Sequence, residues 1–179
     1  IDFLQNNFGV FGGSIDFKVS HQGQLGKGKG RASFTMDNLR TNLKVFENSS
    51  ANITLDKKII TSKVNLFDNQ IMLSSWLDLN SLKRSRADLV VKIKDLKEIL
   101  SIYHPNMIKE EGLVSEISFE LNSDFYLNNL LSSSINLNVE DFFIQRKKAN
   151  LYVQYPYNEI SIRNGRIEKQ ALKFMGGDY

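Results

Sequence analysis

Apolar and polar residues alternate along nearly the whole chain, and a period of two places successive side chains on opposite faces of a β-strand. The clearest case is Glu111 to Asn122. There Leu113, Ser115, Ile117, Phe119 and Leu121 share one face, and Gly112, Val114, Glu116, Ser118, Glu120 and Asn122 share the other. Earlier in the chain, Ile1 to Val10 carries no clear pattern and is punctuated by Gly9, with Gly12 and Gly13 just beyond. The rhythm starts with Ile15, Phe17 and Val19, pauses over a Gly/Lys/Gln turn region from His21 to Gly30, and returns in Ala32, Phe34 and Met36 before a break at Asp37 and Asn38. Leu43 and Val45 make the next piece, Asn48 to Ser50 reads as a turn, and Ile53 and Leu55 follow. Ile60, Ser62, Val64 and Leu66 lead into Asp68 and Asn69, residues that favour an antiparallel hairpin turn. Beyond that turn Ile71, Leu73, Ser75, Leu77 and Leu79 oppose Met72, Ser74, Trp76, Asp78 and Asn80, so Trp76 falls on the polar face. Ala87, Leu89, Val91 and Ile93 close the first half.

The period then changes. Leu96, Ile99 and Leu100, with Tyr103 one turn on, have helical spacing, and His104 before Pro105 is pushed out of the helical region, so a short helix ends there. After the strand at Gly112 to Leu121, Phe125 to Leu131 reads as a second helical turn. Ile135, Leu137 and Val139 restore the alternation. Leu151, Val153 and Tyr155 make a strand stopped by Pro156, and Ile160 and Ile162 make another. Asn164-Gly165 is the strongest hairpin signal in the chain, and Ile167, Leu172 and Phe174 finish the pattern before Gly176 and Gly177.

Roughly a dozen short strands at about ten-residue spacing, each apolar on one side, predict an all-β antiparallel fold. A β-sandwich is the simplest way to bury such faces. Two features favour a single long curled sheet with an apolar concave face and one or two short helical turns. The opposite face is rich in Asn, Ser, Lys and Asp almost throughout, and no compositional boundary marks a second domain. Residues 1–179 are therefore expected to form one continuous β-groove. The chain begins in mid-pattern without Met, which gives the expectation of a segment of a longer protein.

Composition narrows the chemistry. With 23 basic and 20 acidic side chains the net charge is +3, too balanced to mark a nucleic-acid partner. The absence of cysteine removes disulfides, thiolate catalysis and thiol zinc sites together. Of the imidazoles, His21 sits in a Gly/Gln loop and His104 beside a proline, neither with an acid or hydroxyl partner at motif spacing. Glu110-Glu111 and Glu140-Asp141 fall at strand ends, where solvation explains charge. Gly26, Gly28 and Gly30 with Lys27, Lys29 and Arg31 lack the spacing of a phosphate loop and precede no helix, so a hairpin tip is the better reading. Asn48 and Asn52 head glycosylation sequons, relevant only to a secreted eukaryotic chain. Trp76 is either a packing residue or an anchor for a partner. The expectation is a protein that is not an enzyme and has no cofactor or metal.

Two segments carry a resemblance. Lys94-Asp95-Leu96 with Leu100 and Pro105, then Gly112-Leu113-Val114 running into Ile117, Phe119 and Leu121, resembles a recurrent segment of the AsmA-like superfamily, most of all the β-taco region of the TamB translocation-and-assembly family. Ile160 to Ile167, continuing through Leu172 to Gly177, is similar to a repeated element of the same family. The pattern departs at Asn122 and Ser123, where the family has a glycine. The resemblance implies a repeating β-groove, a periplasmic location in a Gram-negative envelope, an inner-membrane anchor in the parent chain, and passage of phospholipid between the two membranes. It carries over no catalytic residue.

The groove lining expected from the alternation itself comprises Ile15, Phe17, Val19, Phe34, Met36, Leu43, Val45, Ile53, Leu55, Val64, Leu66, Ile71, Leu73, Leu77, Leu89, Val91, Ile93, Ile117, Phe119, Leu121, Ile135, Leu137, Val139, Leu151, Val153, Ile160 and Ile162. Such a trough, open at its ends, would shelter phospholipid acyl chains at roughly 0.8 kcal/mol per buried methylene. A second expectation is an assembly module that pairs its sheet edges with strands of an outer-membrane barrel. A third, a carbohydrate-binding or hydrolysing β-protein, has only Trp76 in its favour.

Overall fold

A computed structural model describes residues 10–24, 28–80, 82–103 and 112–178. Within them ten antiparallel strands pair strictly in chain order to form one sheet. The strands are β1 (Val10–Gln22), β2 (Lys29–Thr41), β3 (Val45–Asp56), β4 (Ile59–Leu66), β5 (Ile71–Asp78), β6 (Ser85–Ile93), β7 (Leu113–Tyr126), β8 (Asn129–Arg146), β9 (Ala149–Arg163) and β10 (Arg166–Asp178), with helix α1 (Leu96–Tyr103) between β6 and β7. Each strand follows from its alternation, and each hairpin from its turn chemistry. Asn164 (φ 50°) and Gly165 (φ 68°) are both left-handed, the backbone that a two-residue turn matched to the twist of the strands requires. Lys57 and Lys58 do the same between β3 and β4 with φ of 47° and 70°.

Several elements differ from the sequence expectation, each for a local reason. Asn48 to Ser50 is not a turn but part of β3, and the break at Asp37 and Asn38 is a kink inside β2, where Asn38 takes φ 53° without ending the strand. Phe125 to Leu131 is no helix. β7 runs to Tyr126, and β8 begins at Asn129 with a register shift that leaves Leu130 and Leu131 bulged. Pro156 does not stop β9, because the ladders to β8 and to β10 both break around it, so its missing N–H leaves no partner orphaned. Likewise β10 continues through Gly176 and Gly177. Fewer, longer strands result than the spacing implied. The structure at Ile1 to Gly9, Gly26-Lys27, His104-Pro105 and Glu110-Glu111 lies outside the described residues.

Helix α1 explains the shape. It contacts β7, its neighbour in sequence, and also β2. In a flat sheet five strand spacings of about 4.8 Å would hold those strands about 24 Å apart, too far for a helix about 10 Å wide to touch both. The sheet therefore curls toward its apolar side, and α1 lies in the curl. Leu39, Phe46, Phe67, Val91, Ile93, Ile99 and Ile102 form the buried cluster there, with Met36, Leu66, Ile71, Leu89, Leu96, Ile117 and Phe119 packed against it.

Candidate functional site

Direct cross-strand partners line up in rows. One row passes from Phe17 through Phe34, Ala51, Val64, Leu73, Leu89, Leu121 and Leu137 to Ile160, apolar at every strand from β1 to β9. The adjacent row on the other face reads Lys18, Ser33, Asn52, Lys63, Ser74, Asp88, Asn122, Asn136 and Ser161, polar at every strand. A one-residue slip anywhere would exchange the two faces, so the hydrophobic pattern locks the register of the whole meander.

A second row on the apolar side runs Val19, Ala32, Ile53, Ser62, Ser75, Ala87, Ser123, Ile135, Ile162 and Ile167. Its centre is small. Ser62 and Ser75 satisfy each other through a 2.7 Å hydroxyl contact, and Ser123 Oγ donates to the Ala87 carbonyl at 3.0 Å, so these hydroxyls present little polarity to the trough. Large aliphatic and aromatic side chains thus flank a shallow floor. Toward α1 a third row, Leu66, Ile71, Val91, Phe119 and Val139, passes beneath the buried cluster. Further along β9, Leu151 opposes Ile144, Val153 opposes Phe174, and the Phe142 and Phe174 rings meet edge-on at 5.2 Å. Ile15 opposite Met36, Leu77 opposite Ile60 and through it Leu55, and Ile117 opposite Ile93 complete the face.

Two of the expected lining residues are elsewhere. Leu43 lies in the β2–β3 turn, outside the strands, and Val45 at the start of β3 is exposed while its neighbour Phe46 is fully buried. Alternation alone had assigned the wrong member of that pair, because buried Phe46 and Ser49 are three residues apart and the period slips between them. Phe67 was missed for a related reason. It belongs to a turn in which Phe67, Asp68 and Asn69 all have positive φ, and a bulky residue in that region is costly unless its surroundings hold it. Here its ring packs on Phe46 with centroids 5.1 Å apart, its N–H donates to Ser49 Oγ at 2.9 Å, and Asp68 exchanges hydrogen bonds with the Asn48 backbone at 3.0 Å.

The trough is not open at both ends as expected. Helix α1 closes one of them, burying Ile99 and Ile102, whereas Tyr103 is exposed. Glu98 accepts from Lys44 Nζ at 2.7 Å and from Gln70 Nε2 at 3.2 Å, tying the helix to the β2–β3 and β4–β5 turns. Leu96 N–H donates to Ser115 Oγ on β7 at 2.8 Å. An amphipathic helix in a chain that makes one sheet has nowhere else to place its apolar side, and that was the available signal.

Exposure grades across the trough. Near α1, Val91, Ile93 and Val139 are buried, while on edge strand β1 Phe17 and Val19 are each 65% exposed. The polar side holds no comparable concentration of chemistry. There Glu140 accepts from Ser118 Oγ at 2.8 Å; His21, exposed at the end of β1, falls instead on the row of Leu55, Ile60 and Leu77, and its Nε2 lies 3.1 Å from the Gly23 carbonyl. Trp76, half-buried between Thr61 and Arg86, borders a shallow depression with Ser74 and Asp88, where Asp88 hydrogen-bonds Arg86 Nε at 2.8 Å and so raises the guanidinium pKa further. Among the described residues no helix is long and apolar enough to cross a membrane. No family model, no curated protein and no solved structure matches the chain.

Proposed function

We propose that this chain is the lipid-binding groove segment of a periplasmic bridge-like protein of AsmA-like, TamB type, one that shields phospholipid acyl chains as they pass between inner and outer membranes. The observation that carries the reading is the unbroken apolar row from Phe17 to Ile160, on a sheet that curls over it and that no second sheet covers among the described residues. An acyl chain of about sixteen carbons laid there would gain on the order of 10 kcal/mol before ordering costs. Because α1 fills one end, the chain would enter from the opposite end or over the strand edges. The reading assigns the protein no catalytic role, no cofactor and no metal. Purification from a lipid-containing host followed by native mass spectrometry tests it: phospholipid-sized adducts on the folded chain are expected, and a bare chain under lipid-retaining conditions would count against it.

A second reading has its own observation. Strands β1 and β10 each run 13 residues, and among the described residues each leaves one ladder edge unpaired, a template for a partner's strand in outer-membrane barrel assembly. Crosslinks from β1 or β10 to barrel strands, with no lipid retained, would favour it.

A further inference from the structure

The end of the sheet away from α1 carries an arrangement that trough occupancy does not need. Alternate hairpin turns meet there, among them those joining β3 to β4, β5 to β6, β7 to β8 and β9 to β10. They are tied to one another. Leu79 N–H donates to the Lys58 carbonyl at 2.9 Å, the Arg84 guanidinium lies 5.7 Å from the Tyr126 ring centroid, and Asn164 N–H donates to the Ser133 carbonyl at 2.8 Å. The tips form a continuous rim. On it Leu82 and Leu131 are 80% and 77% exposed, the two highest values for large hydrophobic side chains among the described residues, and Leu130 and Ile167 on the same rim are 63% and 61% exposed. By contrast, large hydrophobics in and beside the turns at the α1 end are less exposed: Leu43, Val45, Tyr103 and Val114 all lie below 60%.

Charge on the rim has one sign facing out. Lys57, Lys58, Lys83, Arg84 and Arg166 stand beside the exposed leucines. The acids among the described rim residues face cations or backbone donors: Asp56 is with Lys29 at 3.5 Å, Glu168 with Arg163 at 3.6 Å, Asp78 with the backbone N–H groups of Asn80 and Lys83 at 2.9 and 3.0 Å, and Asp124 opposes Arg86 across β6 and β7. Separate aliphatic points on successive turns, about 10 Å apart by strand spacing, offer neither a groove nor a flat strand edge to a folded protein. They suit a fluid interface, where each leucine enters the headgroup and acyl boundary independently and neighbouring cations meet lipid phosphates.

We propose that this rim docks on the surface of an anionic phospholipid bilayer, setting the open end of the sheet against the membrane. The proposal goes beyond the trough reading and stands without it. Flotation of the whole chain with vesicles of phosphatidylcholine containing about 30% phosphatidylglycerol, against pure phosphatidylcholine, tests it; since a basic residue near such a surface contributes about fivefold in affinity, loss of two is a large effect. The parent chain is expected to float with the anionic vesicles and weakly with the neutral ones. Lys57→Gln with Lys58→Gln, and separately Leu82→Ser with Leu131→Ser, should each lower partitioning roughly tenfold or more, with unchanged circular dichroism because all four side chains are exposed. Leu43→Ser at the α1 end should float like the parent. A parent chain that stays down with anionic vesicles, rim variants that float as well as the parent, or an equal loss from Leu43→Ser would overturn it. Native mass spectrometry of the rim variants separates the two proposals, since they leave the trough intact and should keep whatever phospholipid the parent keeps.

Discussion

At the residue scale, the energetic contrast sits between adjacent side chains. Phe46 is fully buried against Phe67 while Val45 faces solvent, so Phe46→Ala should cost about 3–5 kcal/mol and Val45→Ala should stay within about 0.5 kcal/mol, both read from urea unfolding. Asp78 offers a pH handle. Burial pushes its carboxyl pKa up, but hydrogen bonds from the backbone N–H groups of Asn80 and Lys83 outweigh that and hold it below the ordinary carboxylate value. A folded pKa below the unfolded one means that the carboxylate's contribution is complete at neutral pH and is lost as pH falls through the acidic range. Replacing Asp78 with Asn should therefore lower stability at pH 7 and flatten its decline in acid; an unchanged acid limb in pH-dependent unfolding would show that the β5–β6 turn is held by something else.

At the scale of elements, α1 is both a plug and a spacer. It reaches β2 and β7 together, and its seat is apolar, with Glu98 adding a partly exposed ion pair to Lys44. Glu98→Gln should cost under about 1 kcal/mol, as such pairs do. Ile102→Asp should cost several times that, by placing an unpaired charge in the cluster, and should raise binding of a hydrophobic dye as α1 leaves its seat. The helix itself was legible from Leu96, Ile99 and Leu100. Its destination was not, because local spacing says which side is apolar and nothing about which distant strands it meets. Strand identity was legible for the same local reason, as in Ile15 to Val19 or Leu113 to Leu121. Boundaries failed where backbone exceptions intervene: Asn38 kinks β2 without ending it, and Pro156 is accommodated where both ladders happen to break.

At the scale of the whole molecule, the ten described strands form one sheet that measures about 43 Å along its curl at ordinary spacing, with its apolar rows on the inner side. Most of the trough was readable from alternation, since Phe17, Phe34, Leu73, Leu121, Leu137 and Ile160 all share one face. What alternation could not convey is depth. Val91 has the same period as Leu121, yet it is buried under the α1 cluster, whereas Leu121 is half-buried in the trough. Val91→Asp should therefore abolish folding outright, while Leu121→Asp should leave a folded sheet that retains less lipid.

The most direct measurement places a photocrosslinking side chain at Leu137 and, in a separate protein, at Asn136, one residue along the same strand and on the opposite face. Irradiation in a lipid-containing host should attach phospholipid at position 137 and not at 136. Equal labelling of both, or none at 137 in a folded chain, would contradict a sheet whose inner face carries lipid.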